Sequence, residues 1–192
     1  MAFQVRRFLF DNGSGNSIIR PADATAYAAG DQIANSTTAG SVINPTIDLS
    51  HFSRARVLRL GCDVTPASSN VVITAFDFAA LIFHNIDVPA AVGDNITFPI
   101  AGVQRNKAAK FAFANGSWTQ PNGALTAGAS GFQEQLYALS ANFEDGAIFD
   151  FTSRPDIAAS SRKLALVLQA QGAWTPLAVV NTFNFYADIQ LD

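Results

Sequence analysis

Residues Lys163–Asp192 read KLALVLQAQGAWTPLAVVNTFNFYADIQLD, and the fold class turns on how this stretch is built. From Thr182 onward, Phe183, Phe185, Ala187, Ile189 and Leu191 share one face while Thr182, Asn184, Tyr186, Asp188 and Gln190 share the other. A two-residue period with one dry and one wet side is that of a strand on an outer sheet surface. Leu164, Leu166 and Leu168 alternate in the same way, and Gln171–Pro176 forms the connection, placing Trp174 against the core or a neighbour.

Working outward, the same short period recurs between turn signals. Phe3 and Val5 share a face, Arg6-Arg7 reverse the phase, and Phe8 and Phe10 continue it, which predicts a bulge or bend. A second reversal falls at Val57-Leu58 within Arg54–Leu60. The loop Asp11-Asn12-Gly13-Ser14-Gly15-Asn16 is rich in turn formers. Val71 to Phe83 is apolar on both faces apart from Thr74 and Asp77, as a strand buried between layers should be. Phe111/Phe113 and Phe149/Phe151 mark shorter strands.

One segment competes with the strand pattern. Phe132, Leu136, Leu139 and Phe143 follow helical spacing between Gly131 and Gly146. The expected architecture is therefore all-β: one antiparallel, jelly-roll-like sandwich over an aromatic core of 16 Phe, spanning residues 1–192 as a single domain, with at most one short helix.

Composition narrows function mostly by exclusion. Charged residues make up 14% of the 192 positions, well below the roughly 25% of ordinary domains. So weakly charged a surface does little to keep copies apart, and a homo-oligomer or assembly component is expected. The net charge is −3, with no basic run denser than Arg6-Arg7 or Arg54-Ala55-Arg56. No nucleic acid is expected as a partner, because phosphate binding needs clustered cations. The start has no signal-peptide character and no apolar run reaches membrane-spanning length, so synthesis in a cytoplasm and no membrane association are expected. The lone Cys62 closes an alternating apolar run and reads as a buried, inert thiol.

No catalytic set emerges, and no catalytic, cofactor-binding or metal site is assigned. The histidines are His51 and His84; His51 sits in Asp48-Leu49-Ser50-His51 as a loop residue, and His84 ends an apolar run. One Cys and two distant His cannot build the usual zinc sites. Glu134 and Glu144 are the sole glutamates, and 13 aspartates are scattered mostly through turns. Gly13-Ser14-Gly15 misses a dinucleotide fingerprint and Gly128-Ala129-Ser130-Gly131 misses a nucleophile elbow. Asp87, Asp94 and Asn95, or Asp11-Asn12, are the oxygen-rich loops that come nearest to a calcium site. Trp118, Trp174 and Tyr27 are the aromatics available to a sugar platform, with core or interface packing as their ordinary use.

Three stretches resemble small head proteins of tailed bacteriophages: Asp23–Ala34 (DATAYAAGDQIA), Pro89–Phe98 (PAAVGDNITF) and Trp174-Thr175-Pro176-Leu177 ahead of the final strand. The resemblance follows the chain in order, apart from a long Ala- and Ser-rich stretch over residues 120–160. It implies a structural virion protein, a capsid decoration (cement) protein on the shell exterior, often trimeric, that binds the major capsid protein and needs no cofactor. The absence of a basic arm agrees with a place outside the shell. The competing expectations are a glycan- or receptor-binding virion module and a jelly-roll capsid or tail subunit.

Overall fold

The computed structural model describes residues 4–66, 76–100, 108–114, 131–136 and 147–192. Among these residues eleven strands follow one another: β1 (Gln4–Leu9), β2 (Ile18–Arg20), β3 (Gln32–Ile33), β4 (Thr46–Asp48), β5 (Arg54–Pro66), β6 (Phe78–His84), β7 (Ala109–Phe113), β8 (Gly131–Leu136), β9 (Ala147–Asp150), β10 (Lys163–Ala170) and β11 (Asn181–Leu191). All pairings between them are antiparallel. Among the described residues the helical elements are three short 3-10 turns.

The strand order defines the winding. β1 and β2 lie end to end along one edge of β11, β3 and β4 along β10, and β8 and β9 along β5. Counting each such couple as one line, eight lines pair first with eighth, second with seventh, third with sixth and fourth with fifth. The β11–β5 and β10–β6 pairings then close two sheets of order 1-8-3-6 and 2-7-4-5. A long hairpin rolled up in this way is a jelly roll, so the sandwich expected from the alternation is present.

The closing hairpin shows why its two strands read differently. β11 alternates without exception between buried and half-buried positions, because its outer side faces water. β10 is buried at every position after Lys163. Its outer side, with Leu81 and Phe83 of β6, is covered by Phe98 and Ala108 and by the half-buried Val88, Val92 and Ile100. Between the sheets the core is aromatic: Phe78 stacks on Phe113 at 4.6 Å, and both meet Phe185 of the opposite sheet edge-on at 6.1 Å.

Two corrections concern local register. The bulge expected at Arg6-Arg7 is absent: β1 pairs with β11 in unbroken register, Val5 simply faces outward at 57% exposure, and Phe8 and Phe10 turn inward. The reversal at Val57-Leu58 is real. Asp188 faces Arg59 and Ile189 faces Val57, so Leu58 is the extra residue of a bulge. The helical spacing over 132–143 also gives way, since Gly131–Leu136 pairs along β5 from Val64 to Arg59. There the backbone partners offered by the edge of β5 outweigh a weak local pattern. The remainder of that segment, and residues 71–75 of the long apolar run, lie outside the described residues; β6 carries Phe78–Phe83 of that run, all six positions buried.

Candidate functional site: a buried arginine–tyrosine–aspartate cluster

The three segments of the phage-head resemblance are far apart in the chain and meet at one place. Tyr27 and Trp174 exchange backbone hydrogen bonds, the Tyr27 N–H donating at 2.7 Å and the Trp174 N–H at 3.2 Å. Their rings stack at 5.2 Å, and Trp174 stacks in turn on Phe76 at 3.8 Å. The 30–36 segment pairs with 94–98: Phe98 N–H donates to Gly30, Gln32 N–H to Ile96, Asn95 N–H to Gln32 and Asp94 N–H to Ser36.

Under this seam lies a polar relay. Arg20 Nε donates to Tyr27 Oη at 2.6 Å, and Tyr27 donates to the Asp94 carboxylate at 2.6 Å. The Ala34 N–H supplies Asp94 with a second donor at 2.8 Å. Arg20 also donates to the Asp23 carbonyl, its guanidinium lies 5.3 Å and 5.4 Å from the Tyr27 and Trp174 ring centres, and its Nε stands 3.8 Å from Asp94. Both charged side chains are shut off from solvent. Arg20 Nη1 and Trp174 Nε1 have no hydrogen-bond partner among the described residues. Burial pushes the Tyr27 hydroxyl far above its usual range, reinforced by the Asp94 charge, and burial raises Asp94 against the pull of its donors.

Among the described residues this arrangement is sealed from solvent. A protonated phenol clamped between a guanidinium and a carboxylate, with every member buried, is a strut. It ties the end of β2 to the 88–98 loop and to the loop before β11. The turn that delivers Asp94 depends on Gly93, whose φ is +106° and where an added Cβ would sit 2.6 Å from the Thr37 carbonyl oxygen. Gly93→Ala is expected to destabilise by well over ~1 kcal/mol in urea unfolding. Gly30→Ala, at φ +100° with 3.7 Å to its nearest neighbour, should cost less; equal costs would remove the steric part of this explanation.

The other residues singled out by sequence are dispersed. Asp87 pairs with Arg154 at 2.5 Å while Asp94 joins the relay, so the oxygen-rich loop divides between two unrelated partners. Asp11 closes its own loop by accepting the Gly13 and Gly15 N–H groups at 2.9 Å. Among the described residues no three His, Cys, Asp or Glu side chains are grouped to hold a metal ion. Asp48 accepts the Ser50 N–H in a local turn with His51 exposed beside it. Cys62 is fully buried in β5, and burial pushes its thiol up. Trp174 and Tyr27 lie inside, 5% and 2% exposed, which removes them from any sugar platform; Trp118 lies outside the described residues.

His84 is a half-buried titratable group whose protonation bears on stability. It closes β6 edge-on to Phe149 at 5.2 Å and Phe151 at 4.8 Å, with Nδ1 buried and unpartnered among the described residues. Burial first, then Arg154, hold it below the usual 6.5, against the opposite pull of Asp87, Asp156 and Asp150. A depressed folded-state value means that its contribution is full above pH 6.5 and is lost as pH falls through that lower value. Asp63 and Asp94, both raised by burial, tilt the other way. The readout is therefore a difference: from about pH 7 to pH 5, melting temperature should fall more for the parent than for His84→Gln. Parallel curves would show that His84 does not sense acid.

No family model matches the chain, and no curated protein matches it. Several solved structures do: Cocksfoot mottle virus (10% identity, TM-score 0.33, covering 100% of this chain and 95% of that one), Desmodium yellow mottle tymovirus (11%, 0.27, 100% and 88%), and the decameric BFDV capsid protein (12%, 0.29, 99% and 96%). Superpositions this loose add nothing to the winding order, which rests on the strand pairings themselves.

Proposed function

We propose that this chain is a structural virion protein: a single-domain decoration (cement) protein that binds the major capsid protein lattice on the capsid exterior as a homo-oligomer, a trimer being the form the resemblance implies. The observation that carries the reading is the convergence at Tyr27. Three short segments similar to phage head proteins, separated by more than fifty residues each, interlock around one buried relay. The segments that carry the resemblance thus form one packing unit in this chain, which supports the reading. A rigid sandwich whose best-organised polar cluster is sealed from solvent suits a protein that works by shape and contact rather than by turnover. The burial of Trp174 and Tyr27 weighs against glycan recognition.

Quantitative mass spectrometry of purified particles tests the proposal. Hundreds of copies per particle, together with earlier rupture of heads lacking the protein on heating, are the expected result. A handful of copies would assign it to a tail or vertex and overturn the cementing role. In solution an oligomer is expected at micromolar concentration, and a strictly monomeric mass would count against self-association.

A further inference from the structure

On the covered side of the sandwich, a cavity of about 420 Å³ opens between the Ala29-Gly30 turn and the outer surface of β6, β7 and β10. That volume lies within the range of small-ligand sites. Its walls divide by chemistry: Leu81, Ile100 and Ala108 are apolar, whereas Lys110, Gln169 and Gln171 are polar.

The polar side is ordered by a chain of hydrogen bonds. Gln169 Nε2 donates to the Gly30 carbonyl at 2.9 Å, Gln171 Nε2 donates to Gln169 Oε1 at 3.1 Å, and Lys110 Nζ donates to Gln171 Oε1 at 2.6 Å. The backbone carbonyl fixes the direction of the chain, since each amide must present oxygen to the next donor. The result holds the Lys110 nitrogen at the cavity with donors left over, because an ammonium has three and this chain uses one. Among the described residues no carboxylate pairs with Lys110 within 4.0 Å.

We infer that this cavity binds a small amphipathic carboxylate, with its short apolar body against Leu81, Ile100 and Ala108 and its carboxylate on Lys110. A bare anion would leave the apolar wall without a partner, and a neutral apolar molecule would leave the exposed Lys110 ammonium to Gln171 and solvent alone. A compound with both parts satisfies both walls at once.

The probe is hexanoate, titrated into the full-length protein and followed by calorimetry and by NMR shifts. Acetate supplies the charge alone and 1-hexanol the apolar body alone. Saturable millimolar binding of hexanoate, with both controls weaker by about tenfold, is the expected result for one charge-assisted contact added to an apolar one. Lys110→Gln should reduce hexanoate affinity about tenfold and leave hexanol unchanged. Ala29→Leu, at an exposed wall position where the fold should tolerate it, should block both ligands. No saturable binding, or binding indifferent to both substitutions in variants that keep the parent melting temperature, would overturn the assignment.

Discussion

A chain ended after Val180 is expected not to fold. The missing segment is β11, which pairs with β5 from Pro66 to Ala55 and along its other edge with both β1 and β2. It buries Phe183, Phe185, Ile189 and Leu191, none more than 4% exposed, and Phe185 closes the inter-sheet aromatic contact with Phe78 and Phe113. At about 1.5–3 kcal/mol for each large apolar side chain, the loss is on the order of 6–12 kcal/mol. That matches the whole stability of an ordinary domain, roughly 5–15 kcal/mol. β1 and β2 would have no sheet to join, and β5 would lose one edge of its ladder. Circular dichroism and thermal scanning should show no cooperative transition. A soluble product with a native-like melt would show that β11 is dispensable to the core. Removing Gln4–Arg7 from the other end should be far milder: these residues are exposed, they pair at the sheet's edge rather than its centre, and the Arg7–Asp188 ion pair at 2.7 Å is a surface contact worth at most ~1 kcal/mol.

Those two ends also mark how far the residues alone reveal the fold. β11 was legible because one of its faces is wet, and the contrast between Phe185 and Asn184 survives in the letters. The bulge at Leu58 was legible for the same reason, since a two-residue period exposes a one-residue insertion directly. β1 misled because an edge strand tolerates an apolar residue such as Val5 facing water, so alternation there does not report burial. The strand at Gly131–Leu136 was hidden because its identity comes from the edge of β5, a partner some seventy residues away. The relay was partly legible: Tyr27, Asp94 and Trp174 all lie in the three stretches that the sequence singled out, Asp23–Ala34, Pro89–Phe98 and Trp174–Leu177, yet nothing local shows that they touch. Arg20 was missed altogether. It closes β2, three residues before Asp23, and only the fold reveals a guanidinium with no access to water. The sole signal available was an arginine closing the short apolar run Ile18-Ile19 ahead of Pro21.

Asp94→Ala is the single substitution expected to cost most. It leaves the Arg20 charge buried without its counter-ion, removes the acceptor of the Tyr27 hydroxyl and orphans the Ala34 N–H. Breaking a buried pair from one side typically costs about 3–5 kcal/mol, because the surviving charge cannot be rehydrated. The pair itself need not be favourable, and this gives the experiment its discriminating power. The double variant Arg20→Met, Asp94→Leu removes both charges together and should be less destabilised than Asp94→Ala alone, with Tyr27 left as the group to be rehydrated. Asp94→Asn should fall between them, since its amide oxygen can still accept from Tyr27 while the charge is gone. Urea unfolding midpoints of the three variants decide the matter. If Asp94→Ala costs less than ~1 kcal/mol, the value of a surface pair, then the relay is incidental to the packing of the three segments, and Trp174 stacked between Tyr27 and Phe76 must hold the seam by apolar contact alone.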